Sequence, residues 1–65
     1  MIDANDIVEA YQLVGSKVHI DDDETNWFIC TGLYTDIDRI RFEISWMENG
    51  KLDYQYIEQW RVKSK

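Results

Sequence analysis

Between Arg39 and Ile57 the chain alternates apolar and polar residues on both sides of one Asn-Gly pair, and no other feature constrains the fold as tightly. Successive side chains of a strand point to opposite faces. Ile40, Phe42, Ile44 and Trp46 therefore share one face, and Arg39, Arg41, Glu43 and Ser45 the other. After the pair, Leu52, Tyr54 and Tyr56 alternate against Lys51, Asp53 and Gln55. Asn49-Gly50 supplies the residue types that tolerate the positive φ of a two-residue hairpin turn. An antiparallel hairpin is expected here.

The rest of the chain divides at Gly15, where the apolar period changes from 3.6 to 2. Before it, Ala4, Ile7, Tyr11 and Val14 form one stripe with Val8 beside it, which predicts a helix over residues 3–14. Asp3, Asn5 and Asp6 suit the N-cap, Asp6 and Glu9 have capping-box spacing, and Gly15 suits the stop. After it, Val18 and Ile20 alternate with Lys17 and His19 in a short strand. The Asp21–Asn26 connector is polar. Trp27 to Thr35 has β-forming residues without alternation, so a strand covered on both sides is expected, with the helix over its outer face. Gly32 marks a bend or bulge in it. Glu58-Gln59-Trp60 breaks the alternation of the hairpin and suits one 3₁₀ turn before a short last strand over Arg61–Lys63.

The chain is 65 residues long, with no proline and no linker-like stretch, so one domain is expected: a helix over 1–15 and a small β-barrel over 16–65. A chain this short buries only about 60% of the surface its unfolded form exposes. Most of the aromatic set Trp27, Tyr34, Trp46, Tyr54, Tyr56 and Trp60 should therefore be core, with Trp27 and Trp60 the two expected to show a face. A single cysteine, Cys30, allows no disulfide within the chain, and no Cys/His set can make a structural zinc site. No apolar run approaches the roughly 20 residues of a membrane helix. The N-terminal residues are acidic and lack an apolar signal-like stretch. The expected setting is cytoplasmic.

Thirteen acids oppose seven bases, for a net charge of −6. The acids concentrate in residues 1–38 and the bases in residues 39–65. Such a chain is repelled by phosphate backbones and anionic membranes.

The order of strand, acidic loop, long bent strand, Asn-Gly hairpin, 3₁₀-like turn and short final strand resembles an SH3-like small barrel of the Tudor or SH3 type. Val14-Gly15-Ser16-Lys17-Val18 stands at its start, Ser45–Leu52 at its central hairpin and Tyr56–Val62 at its closing turn and strand. The layout is similar to that of small bacterial and bacteriophage barrel proteins. The Ala-Leu-Tyr-Asp-Tyr run and the closing-turn proline of peptide-binding SH3 domains are absent, and no Tudor cage motif maps onto the chain. The resemblance implies a mainly β fold, a five-stranded antiparallel barrel behind one helix.

For catalysis the chain offers little. His19 is expected on the surface and Cys30 in the core, on different strands, whereas a thiol nucleophile needs an exposed electropositive setting with a base nearby. A self-filled small barrel has no pocket to desolvate paired carboxylates. The expected protein is not an enzyme and uses no cofactor. Asp21, Asp22, Asp23 and Glu24 fail the calcium-loop pattern, since positions six and twelve from Asp21 are Asn26 and Gly32. A solvated acidic turn with no metal site is expected.

Two surfaces remain. The acidic loop Asp21–Glu24 with Trp27, and Trp60 at the closing turn, would suit a protein partner with a basic patch or self-association. Arg61, Lys63 and Lys65 would share one face of a regular last strand near Lys17 and His19, suiting phosphate, with aromatics stacking on bases. The functional expectation is a small acidic protein-interaction module of bacterial or phage accessory machinery. A nucleic-acid-associated barrel or a DNA-mimicking inhibitor of a basic protein is the alternative.

Overall fold

The computed structural model describes residues 2–65. Helix α1 spans Ala4–Tyr11, followed by strands β1 (Lys17–Ile20), β2 (Asp23–Thr35), β3 (Ile40–Glu48) and β4 (Lys51–Glu58), a 3₁₀ turn over Gln59–Arg61, and β5 (Val62–Ser64). The capping signal operates one turn earlier than the Asp6/Glu9 spacing suggests. Asp3 is the N-cap, its carboxylate accepting from the Asn5 and Asp6 amides at 2.7 and 3.2 Å, while Asp6 accepts from the Asp3 N–H at 3.4 Å. The helix is nonetheless shorter than expected, because it ends at Tyr11. Its last residues give way to turns that reach Gly15, where φ is +93°, a value only glycine adopts freely.

All five strands form one antiparallel sheet in the order β4-β3-β2-β1-β5. β4 and β5 are its two edges, so the sheet is not closed. Yet only the three residues of the 3₁₀ turn separate the end of β4 from the start of β5, which curls the sheet until its edges approach at that end. Two irregularities provide the curvature: one between Cys30 and Gly32, where glycine was expected to bend the strand, and one opposite Val18–Ile20. The Asn-Gly turn forms as read, with φ of +52° at Asn49 and +78° at Gly50, and closes Glu48 on Lys51.

One face of the sheet carries the core. Val18, Cys30, Ile40, Phe42, Ile44, Ile57 and Val62 are buried there with Ala10 of the helix, and Ile2, Ile7, Leu13, Val14, Phe28 and Trp46 pack against them. The helix thus lies on the inner face, over the same core that the strands bury. It does not cover the outer face of β2 as the sequence suggested. Ala10 faces the sheet, whereas Tyr11, at 64% exposed, points away from it. Continuity explains the placement. The Gly15 N–H donates to the Cys30 carbonyl at 2.7 Å and the Cys30 N–H to the Ser16 carbonyl at 3.0 Å, so the chain leaving the helix joins β2 directly.

Candidate interaction surface

The register determines what the outer face presents. Opposite residues of paired strands project to the same side. Ser45 pairs with Ile29 and Tyr54, Glu43 with Tyr56, Arg41 with Tyr34 and Glu58, and Met47 with Leu52. None of these belongs to the core cluster. Trp27, Tyr34, Met47, Leu52, Tyr54 and Tyr56 are all exposed, by 42% to 69%. The apolar alternation of β4 therefore points outward. Its inner residues Lys51, Asp53 and Gln55 are also exposed, because the hairpin extends past the part of the sheet that the core covers.

This overturns the expectation that most aromatics are core. Phe42 alone among them is buried, Phe28 and Trp46 are half-buried, and Tyr11, Trp27, Tyr34, Tyr54, Tyr56 and Trp60 are exposed. The thin core is filled by aliphatic residues. One signal in the sequence carried this result. Ile57 follows Tyr56 directly, so one of the two must face away from the core, and Ile57 is the one paired with buried Phe42.

The outer face is ordered by contacts among its own side chains. Tyr34 and Tyr56 meet edge-to-face at 4.9 Å between centroids, and Tyr54 and Tyr56 at 5.7 Å. The Lys17 ammonium lies 4.5 Å from the Trp27 ring centroid, a cation–π contact. The Thr31 hydroxyl bonds Glu43 Oε1 at 2.6 Å and the Ser45 hydroxyl at 2.7 Å. Tyr34, the largest influence, together with desolvation and then Glu43, pushes the Tyr56 phenol up to about 12 by favouring its neutral form. Beside these groups an open groove of about 510 Å³ is lined by Trp27, Ile29, Trp46, Met47 and Leu52, with Phe28 at the Trp46 edge. The charges of this face nearly balance: Lys17, Arg41 and Lys63 against Glu43 and Glu58.

The loop residues singled out from the sequence are arranged differently. Asp21 and Asp22 form a tight turn, and Asp23 and Glu24 already belong to β2. Arg61 is in the 3₁₀ turn rather than on the last strand, and its guanidinium grips Asp21 at 2.8–3.2 Å. The expected stripe of Arg61, Lys63 and Lys65 is thereby broken, since its first member is spent on an acid of the loop. That bond holds Asp21 below the usual carboxylate range. Asp23 is lowered as well, by the Asn26 and Thr25 side chains that bond its carboxylate at 2.9 and 2.6 Å. Trp27 and Trp60 both show a face, at 47% and 67%, but Trp27 belongs to the outer face and Trp60 to the 3₁₀ turn.

His19 is buried rather than on the surface, and its Nδ1 has no hydrogen-bond partner among the described residues. Cys30 is fully buried, and burial pushes its thiol pKa up, away from the reactive thiolate. No family model matches the chain, and no curated protein or solved structure matches it significantly.

Proposed function

We propose that this chain is a small non-enzymatic protein-interaction module that binds a partner protein across the outer face of its sheet. The observation carrying this reading is that face itself: six large apolar or aromatic side chains, 42% to 69% exposed, five aligned by the strand register and Trp27 beside them under Lys17. At about 200 Å² for each such side chain when fully open, the patch offers several hundred Å² to a partner. That is comparable to the ~800 Å² each side contributes to a stable interface. Aromatic residues and Met are the types enriched at such surfaces. The curled sheet would then be a half-closed SH3-like barrel in cytoplasmic accessory machinery, presenting a wall instead of a loop.

The balanced charge of the face favours an apolar partner surface with a polar rim over a strongly basic or phosphate-bearing one. Ile29, Met47 and Leu52 add aliphatic contacts that nucleic-acid bases do not require, and the net charge of −6 opposes a polyanion. The acidic loop becomes secondary in this reading, because Asp21 and Asp23 already have partners.

A photo-crosslinking residue at Met47, on the face, should trap a protein in cells of the native source, while the same residue at Val8 on the helix should not. The two sites are matched controls, at 65% and 59% exposed. Equal yields at both, or trapping of nucleic acid at Met47, would refute the proposal.

A further inference from the structure

The two edges of the sheet differ in kind. β5 has three residues, with Lys63 in it and Lys65 after it; a short, lysine-flanked strand is how edges are kept from pairing. β4 has eight residues and, among the described residues, pairs only with β3. Its turn determines which backbone groups are free. Glu48 and Lys51 flank the two-residue turn and form a hydrogen-bonded pair, and bonded and non-bonded pairs alternate from there. Lys51, Asp53, Gln55 and Ile57 spend their N–H and C=O groups on β3, whereas Leu52, Tyr54, Tyr56 and Glu58 aim theirs at the open edge. The Tyr54 N–H agrees with this: it donates to the neighbouring Asp53 carboxylate at 2.9 Å.

We propose that β4 is a docking edge for a second copy of this chain, the two strands pairing antiparallel about a two-fold axis at Tyr54. Leu52 of one copy then stands opposite Tyr56 of the other, and Tyr54 opposite Tyr54, so that free N–H and C=O groups meet their equivalents. All three residues belong to the outer face, so the two outer faces join in one continuous sheet. A slip of one residue would set free groups against groups already bonded to β3 and outer side chains beside inner ones. Within the proposed register the facing side chains are aromatic and aliphatic, the pairs that stabilise strand contacts.

The chain has surface that such a copy would cover. It exposes 4859 Å², above the roughly 4,400 Å² expected for a monomer of its mass. Its radius of gyration is 11.9 Å and its long axis 39 Å, beyond the roughly 11 Å radius of a compact chain of this length. The excess suits a hairpin that extends past the covered core and leaves the β4 edge open. Three features oppose pairing, and the first and last set the signs of the test. Each copy carries −6, so association should strengthen as salt screens the repulsion. Lys51 and Asp53 place charges on the inner side of the β4 edge. Asp53 must also release the Tyr54 amide.

Sedimentation equilibrium of the full chain into the millimolar range, at low and high salt, tests the proposal. A monomer–dimer equilibrium that tightens with salt is expected. Asp53→Ala should tighten it about threefold or more, and Tyr54→Pro, which removes an edge-facing N–H along with the ring but no bond to β3, should weaken it about tenfold. Tyr54→Thr keeps that N–H and should stay within a few-fold of wild type. Should Tyr54→Pro fail to fold, amide exchange on the wild type decides: the Leu52, Tyr54 and Tyr56 amides must gain protection as concentration rises. A chain that stays monomeric even as Asp53→Ala, or a dimer without that protection, overturns the docking edge. The outer-face reading would survive either result, because it is tested at Met47 on β3.

Discussion

Ile44 and Leu52 lie on opposite faces of one hairpin, and truncating each to alanine tests that assignment. Ile44 is fully buried, packed within the core beside Cys30, its partner on β2. Removing its three outer carbons forfeits their transfer free energy and leaves a cavity, a loss of about 2–5 kcal/mol for this type of substitution. Leu52 is 69% exposed, so its truncation removes little buried area and should cost at most about 1 kcal/mol, most of it cross-strand contact with Met47. A 65-residue chain has only about 3–10 kcal/mol in total. Ile44→Ala should therefore leave a barely folded protein, while Leu52→Ala should unfold near the wild-type midpoint. Urea titration followed by tryptophan emission reads both, since half-buried Trp46 sits edge-on to Phe28 at 5.4 Å. The titration is run at micromolar concentration, to keep self-association out of the comparison. If Leu52→Ala costs as much as Ile44→Ala, the apolar side of β4 is covered within the chain and the exposed face does not exist.

Two further outcomes follow from the same geometry. Gly50 has φ of +78° with open space where a Cβ would stand, so Gly50→Val should cost about 1–3 kcal/mol through backbone strain alone, read as a lower urea midpoint at unchanged slope. In an alkaline titration followed by tyrosinate absorbance, Tyr56 should ionise near its raised value of about 12. The neutral phenol is the form the fold favours, so its contribution to stability is complete below about pH 10, the ordinary tyrosine value, and fades as pH rises through the folded value. Tyr34→Phe, which removes the main cause, should bring the Tyr56 titration down.

Elements whose cause is local were legible from the sequence. The hairpin was read from Asn49-Gly50 and its flanking alternation, the helix from its stripe and N-terminal acids, and the β2 irregularity from Gly32, because each depends on residues a few positions apart. The helix cap was misplaced by one turn because Asp3, Asn5 and Asp6 all suit the role. The choice falls on Asp3, whose partner Asp6 completes a reciprocal pair of bonds. Quantities that depend on distant contacts were not legible. The Asp21–Arg61 grip joins residues 40 apart in sequence, and it turned two surfaces expected to be separate into one ion pair.

The location of the core was the least legible of all, for a physical reason. Alternation shows that a strand has an apolar side without showing whether that side faces in. Arg39–Trp46 and Lys51–Ile57 look equally amphipathic, yet β3 turns its apolar residues inward and β4 turns Leu52, Tyr54 and Tyr56 outward. Their phase is set by the turn, which pairs Glu48 with Lys51, and Phe42 with Ile57 at the far end. Counting back from that pair places Tyr56 opposite Glu43 and Tyr54 opposite Ser45, both outer residues. The inner side of the same stretch is left with Lys51, Asp53 and Gln55, residues no core would accept. A strand that puts its polar residues on the core side of the sheet and its aromatics on the solvent side is inverted relative to a free monomer's needs. The proposed binding surface rests on that inversion.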